Sequence, residues 1–443
     1  MRDQDIALRA LRLAKSGGAT DAVSIVRTTD LRMIRFANNS VTVSNGILEA
    51  SLSLFMMMKE RRASLTTTNL SSSSLDELIR NALGMAKLSL PSDVYAPLPE
   101  GPFKYRKELI SIGDIRLLIE RLPEAVKAAI DSAMSAGAQR VAGTLIAERT
   151  EKVLRTTGGA EGTHASTCYN LSVRAFADSE ATGQFSKVAT HLTDLNPEDV
   201  GRRAGEIAKK AMNPKPVDPG RYDTIIGPMT VADLMEEVAL SASAFSVDAG
   251  SSFFTESLGK KVASPLFSLD DDPSDEHAPG SARFDDEGLP TSKKAIIEDG
   301  ILKTYLHNSL TAKKMRTRST ANAGLLRPRP FNLEVRAGEK SLEDLISMVD
   351  NGIYITNNWY LRYQNTRNGD FSTILRDGLF KVEDGKIAGP IRGLRLSENM
   401  LRLLSNIKAI GAERHWIKWW EVETPTLAPA MLIGKVNFTK PTL

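Results

Sequence analysis

AVSIVRTTDLRMIRFANNSVTVSNGILEASLSLFMMMKERRASLTTT, residues 22–68, is the stretch on which the fold turns. It reads as successive β segments: AVSIVRTT, LRMIRFANNSVTVSNG, ILEASLSLFMMM and ERRASLTTT. They are rich in β-branched residues and divided by Asn, Gly or charged turns. Asn45-Gly46 is the predicted hairpin, because both residues tolerate positive φ. A helix precedes the strands: Ile6, Ala10, Leu13 and Ala14 share one face, and Gly17-Gly18 stops it. A second follows in SSSSLDELIRNALGMAKL, residues 71–88. Ser74 with Glu77 reads as its capping box, and Leu75, Leu78, Ile79, Ala82 and Leu83 as its apolar face.

The same order returns downstream. Ile115 to Ala136 reads as a helix ending at Gly137-Ala138, as the first ends near Gly18-Ala19. Strand-like sequence runs from Arg140 to Thr190, and Asn196, Pro197 and Glu198 open a closing helix. The spacing of roughly 120–125 residues is that of an internal duplication, about 1–90 and 110–213. Proline-rich linkers lie at 88–105 and 213–220. The second divides an N-terminal domain, 1–215, from a C-terminal domain, 221–443. In the latter, 230–250 reads as a helix, Ala295 to Leu302 as a strand with a glycine turn, and Ser341 with Asp344 as the opening of a short helix. Gly352 to Tyr363 reads as a strand. Asp377-Gly378, Asp384-Gly385 and Gly389-Pro390 punctuate strand-turn-strand patterns over 368–395. The predicted class is α+β: duplicated helix–antiparallel sheet–helix units, then a β-rich domain with a few helices.

Composition excludes more than it selects. Over 443 residues, 57 Lys and Arg stand against 54 Asp and Glu, which gives no general electrostatic reason for a nucleic-acid partner. One cysteine rules out an internal disulfide framework and any cysteine-rich metal site. MRDQDIALRALRLAKSGGA lacks the apolar core of a secretion signal, and Ala50 to Met58 is too short to span a bilayer. A cytoplasmic protein with no membrane contact is expected. His164, His191, His277, His307 and His415 contain no pair one helical turn apart, so His-Glu-x-x-His is absent. Cys168 reads as a small buried residue, with a nucleophile activated by His164 as the sharper alternative. The acidic run 268–291 offers hard oxygen ligands, with Asp285, Asp286 and Glu287 as candidates for a divalent ion. Its blander reading is a solvated loop paired with Arg316, Arg318, Arg327 and Arg329. HWIKWW, 415–420, reads as core or a subunit contact.

SLDDDPSDEHAPGSARFDDEGLPTSKKAIIEDGILKTYLHNSLTAKKM, 268–315, resembles the signature region of the TldD/PmbA family, with its aspartate-rich turn, Phe-Asp-x-Glu-Gly and a strand ending x-Gly-x-Leu. RFANNSVTVSNG (35–46), STANAG (319–324) and GKIAGPIRGLRLSENMLRLLSNIKAIG (385–411) continue the likeness over nearly the whole chain. The family implies an antiparallel α+β N-terminal region, a β-rich C-terminal domain, and two branches that pair as a heterodimer. Its TldD branch carries a His-Glu-x-x-x-His helix and a later cysteine as zinc ligands, and cleaves peptides. Here the corresponding stretch is LMEEVALSAS, 234–243: Glu236 stands for the first histidine, Glu237 keeps the carboxylate, and Ser241 stands for the second histidine. The late region 418–436 has no cysteine.

A glutamate without a polarising ion has no means of making hydroxide at neutral pH. The resemblance therefore implies the PmbA/TldE branch: no catalytic residue, no cofactor, and a chain inactive alone. It would support proteolysis or peptide maturation by a zinc-bearing TldD-like partner, and could form a homodimer when isolated. Related proteins are linked to modulation of DNA gyrase. Two alternatives stand beside it: an independent metal-dependent hydrolase using Asp285, Asp286 and Glu287, and a self-associating scaffold. If a peptide is held, strand addition is the expected mode, with the C-terminal domain as the surface.

Overall fold

The computed structural model describes residues 2–441. Its N-terminal half runs α1 (Asp3–Ser16), β1 (Asp21–Ala37), β2 (Ser40–Met58), β3 (Arg61–Thr67), α2 (Ser72–Leu88), β4 (Ser111–Ile112), α3 (Leu122–Ser135), β5 (Arg140–Thr156), β6 (Glu161–Phe176), β7 (Thr182–Ala189), α4 (Leu192–Leu195) and α5 (Pro197–Lys210). Then follow β8 (Lys215–Pro216), β9 (Gly220–Ile226), α6 (Pro228–Ser241), α7 (Ala244–Asp248), β10 (Leu269–Asp271), β11 (Lys294–Glu298), β12 (Ile301–Leu302), α8 (Ser309–Lys314) and β13 (Leu333–Val335). The chain closes with α9 (Leu342–Ser347), β14 (Asn351–Asn365), β15 (Asp370–Glu383), β16 (Lys386–Arg392), β17 (Arg395–Asn399), α10 (Met400–Ser405), β18 (Ile407–Trp419) and β19 (Val422–Thr439).

The first seven strands make one sheet, ordered β3-β2-β1-β5-β6-β4 with β7 also on β6. Antiparallel pairing of β1 with β5 joins the strands of the first half to those of the second. Even-numbered side chains of β2, Leu52, Leu54 and Met56, pack with Ile6, Ala10, Leu75, Leu78 and Ala82 of α1 and α2. Odd-numbered neighbours, Val23, Ile25, Phe55 and Met57, face the other way and meet Leu98, Leu154 and Phe284. That alternation follows from the two-residue period of a strand. The other twelve strands form a second, mixed sheet, in which β19 lies between β13 and β9 and carries β18 beside it. The α+β class with a β-rich second half is thus the observed one. Among the described residues no helix is long and apolar enough to cross a membrane.

Several local expectations are corrected. The first hairpin turns at Asn38-Asn39, whose φ values are 50° and 65°, with Ala37 opposite Ser40. Gly46 instead lies within β2 opposite Arg32, and the Arg32 side chain occupies the space where a Cβ would sit. The cap of α2 is Ser71, which accepts from the Ser74 amide, rather than the Ser74–Glu77 box. The third helix begins at Leu122 and not Ile115, because Pro123 has no N–H to bond back and belongs in a first turn. The helix expected over 230–250 breaks into α6 and α7. Asp377-Gly378 is not a hairpin turn: both residues have positive φ within β15, where the register with β14 shifts. Gly389-Pro390 lies inside β16, with Pro390 opposite Phe380. Asp384-Gly385 does turn β15 into β16, and Ser341 and Asp344 do form a reciprocal capping box.

Helices α3 and α5 touch backbone to backbone. A Cβ on Gly201 would collide with the Ala129 carbonyl, and one on Gly205 with that of Ala133. Gly201→Val should force the helices apart and lower stability by about 1–3 kcal/mol, read as a lower denaturation midpoint with an unchanged urea slope.

Candidate functional site

The acidic run is a joint between the two halves. Phe284 packs among Val23, Ile25, Phe55 and Leu154 of the first sheet. Tyr105 donates to the Gly288 carbonyl at 2.8 Å, and Arg283 reaches the Thr163 carbonyl at 2.7 Å. Lys152, from β5, meets Asp286 at 2.6 Å, with the two side chains only 11 % and 9 % exposed. Burial pushes the Asp286 carboxyl up, but Lys152 and Arg329 outweigh it and hold it below the usual range.

Asp285, Asp286 and Glu287 are adjacent in sequence but engaged separately. Asp285 accepts from the amides of Ala323, Glu287 and Leu289; burial nevertheless pushes it up to about 6. Glu287 accepts from the Ser309 amide and hydroxyl, and burial together with Asp285 pushes it up to about 8. Of the four arginines expected to pair with this run, Arg329 approaches Asp286 at 3.7 Å. Lysines supply the other partners: Lys294 for Asp271, and Lys293 for Asp270 and Asp272.

Helix α6 starts at Pro228 and is buried on nearly every side, against β14, β18 and β19. Glu236 accepts from the Glu423 amide at 2.8 Å, and from the Thr424 amide and hydroxyl at 2.9 Å each. Burial raises its pKa, with these bonds opposing. Glu237 turns toward Arg362 and Glu421; burial, then Glu236, pushes it up to about 7. Buried Ser241 lies beside the Tyr363 hydroxyl, while its carbonyl accepts from Ser252 at 2.6 Å. Asp233, one turn earlier, is held by Asn358 and lies well above the usual carboxylate range through burial. Of the three positions that the resemblance matches to a zinc helix, Glu236 is committed to the late strand and Ser241 lies against Tyr363, while Glu237 is buried near the charges of Glu236, Arg362 and Glu421. Both oxygens of Glu236 are engaged by the late strand, and among the described residues no three His, Cys, Asp or Glu side chains are grouped to hold a metal. This donor set does not fit zinc.

Glu236 also opens onto a cleft of about 610 Å³ between the sheets. Ile25, Arg27, Ser51 and Ser53 of the first sheet form one wall, and Arg327, Arg329, Glu423 and Thr424 lie across it. Sequence reading found Glu236, Glu237 and Ser241, and read Arg327 and Arg329 only as partners of the acidic run; it missed Lys152, Thr424 and Arg27, which carry no motif. The histidines stay apart in role. His164 bonds the Leu109 carbonyl at 2.8 Å and burial brings it down to about 4, while His415 packs edge-on to Phe185. Burial raises the Cys168 thiol, as a structural cysteine requires. Trp419 is buried beside Trp359, whereas Trp420 is 54 % exposed.

Two outcomes follow. Lys152→Met or Asp286→Leu alone should destabilise by about 3–5 kcal/mol, and the double variant by much less, since single removal strands a buried charge; a denaturation double-mutant cycle reads this. Glu237 binds its proton more tightly folded than unfolded, so it subtracts stability as pH rises from 4.5 toward 7 and beyond. Glu237→Gln should raise the melting temperature at pH 8 and leave it nearly unchanged near pH 4.5.

A family model described as PmbA/TldA metallopeptidase C-terminal domain matches residues 219–440, and one for the central domain matches 114–212. A metalloprotease TldD homologue of Buchnera aphidicola is 36 % identical over 168 residues, 37 % of this chain and 34 % of that protein. The match spans about half or less of the length of the first metalloprotease relatives, 48 % and 34 %. A metalloprotease PmbA homologue of Buchnera aphidicola is 26 % identical over 418 residues, 91 % of this chain and 90 % of that one. A solved Thermotoga maritima protein, described as a candidate modulator of a DNA gyrase, is 27 % identical with a TM-score of 0.85, covering 98 % of this chain and 99 % of its own. The chain belongs to the PmbA/TldD metallopeptidase family.

Proposed function

We propose that this chain is the non-catalytic subunit of a two-component peptidase, working in the cytoplasm with a zinc-bearing TldD-like partner on peptide substrates. The observation that carries the reading is Glu236. Its carboxylate is spent on hydrogen bonds to Glu423 and Thr424, which tie α6 to β19 where a metal-bearing relative needs ligands. Without an ion, Glu237 has no polarised water to deprotonate. The lengthwise match to a PmbA homologue, against a partial match to a TldD homologue, supports the same branch.

In this reading the chain consists of domains 1–215 and 221–443, with the cleft between them. The exposed Arg27, Arg327 and Arg329 make that cleft suited to peptide carbonyls and carboxylates. Partner and substrate contacts, rather than bond cleavage, are this subunit's contribution.

The purified chain, mixed with a TldD-type relative at micromolar concentration, should co-elute with it. The mixture should hydrolyse unfolded peptides and lose activity to a chelator, while the isolated chain hydrolyses none. Clean separation of the two proteins, or chelator-sensitive turnover by this chain alone, would overturn the reading.

A further inference from the structure

A second cavity, of about 190 Å³, lies between the two halves and shares no residue with the cleft. Helix α5 and strand β7 form one side of it, and α9, β14 and β18 the other. Its walls are apolar: Phe185 and Ile207 from the first half, and Leu342, Ile346, Tyr354 and Phe380 from the second. Two aromatic pairs belong to them. Tyr354 and Phe380 stack with centroids 6.0 Å apart, and His415 meets Phe185 edge-on at 5.3 Å. An apolar cavity of about 150 Å³ is enough to hold benzene. This one therefore admits a single ring on a short stem, and no helix or strand of another protein.

The rim is charged, and three of its charges are uncommitted. Arg203 and His415 share Glu413, and Glu206 is paired with Arg202. Lys210, Lys340 and Glu343 are exposed and, among the described residues, form no ion pair. Tyr354 adds a hydroxyl that has no hydrogen-bond partner among the described residues, and burial, which pushes it up to about 12, keeps it a donor. Helix α6 begins at the same wall, at Pro228 and Met229, with neither a side-chain cap nor an acidic residue in its first turn. Its positive end adds to the two lysines instead of opposing them.

We infer that this cavity binds a free aromatic α-amino acid, its ring inside, its carboxylate at Lys210 and Lys340 and its ammonium at Glu343. Aromatic pairs in two orientations offer an incoming ring both faces and edges to pack against. Each uncommitted charge gains a partner of opposite sign, and the charged head stays at the wet rim, where desolvation costs least. A purely apolar ligand would leave both lysines unused, and a polyanion would meet Glu343 as well as them. Because the ligand touches α5 and α9 together, it ties one half of the chain to the other. The site does not rest on the peptidase reading, since neither Glu236 nor any cleft residue takes part.

The test is calorimetric titration of the full chain with L-phenylalanine and three probes that each lack one part. These are 3-phenylpropionate without the ammonium, 2-phenylethylamine without the carboxylate, and L-alanine without the ring. Saturable binding of phenylalanine is expected, with each truncated probe weaker by about tenfold or more, the scale of one charge-assisted contact or one buried ring. Lys210→Gln/Lys340→Gln should weaken phenylalanine by about tenfold and leave 2-phenylethylamine unchanged, both lysines being exposed. Ile387→Trp, at a rim position 38 % exposed, should block the mouth and abolish binding with circular dichroism unchanged. No saturable binding of phenylalanine at millimolar concentration would overturn the proposal. So would any truncated probe that binds as tightly as phenylalanine, or binding that survives both the lysine pair and the Ile387→Trp substitution.

Discussion

The contact between Lys152 and Asp286 fixes how the two sheets meet. Both side chains are nearly out of solvent, so neither charge tolerates losing the other. Phe284, two residues before Asp286, fills the apolar gap beside them, and Arg283 and Tyr105 tie the same loop to neighbouring carbonyls. Because Asp286 also borders the cleft, the ion pair that joins the halves sets the position of Arg329 and of the cleft wall. An aspartate-rich stretch that looks like a ligand loop is, in the folded protein, an intramolecular joint.

Much of the fold was legible because it rests on local periodicity. Alternation over 22–68 gave strands, spacing on α1 and α2 gave helices, and Asn196 capped α5 as read. Turn positions were less secure. Asn38-Asn39 and Asn45-Gly46 are both chemically suited to a hairpin, and the choice depends on which register buries Leu52, Leu54 and Met56 under the helices. Asp377-Gly378 shows the same ambiguity: positive φ serves a bulge as well as a turn, and the bulge aims Asp377 at Arg174 at 2.8 Å.

The site was legible only in part. Glu236, Glu237 and Ser241 could be singled out by resemblance, but their partners could not. The amides that bind Glu236 belong to residues 187 and 188 positions further on, and backbone donors leave no mark in a sequence. Lys152 reads as one more charge on a strand until its burial is seen.

Hydrogen bonds from Glu423 and Thr424 to Glu236 hold α6 against β19, a bridge that a metal ion would otherwise have to supply through other donors. Those bonds hold α6 in place through protein donors alone, and in the proposed reading metal chemistry belongs to the partner chain. The most direct test is the zinc content of each chain after the complex with a TldD-type relative is separated under mild conditions. The account predicts zinc with the TldD-type chain and none above background with this one. Stoichiometric zinc retained by this chain, and lost on Glu236→Ala, would contradict it.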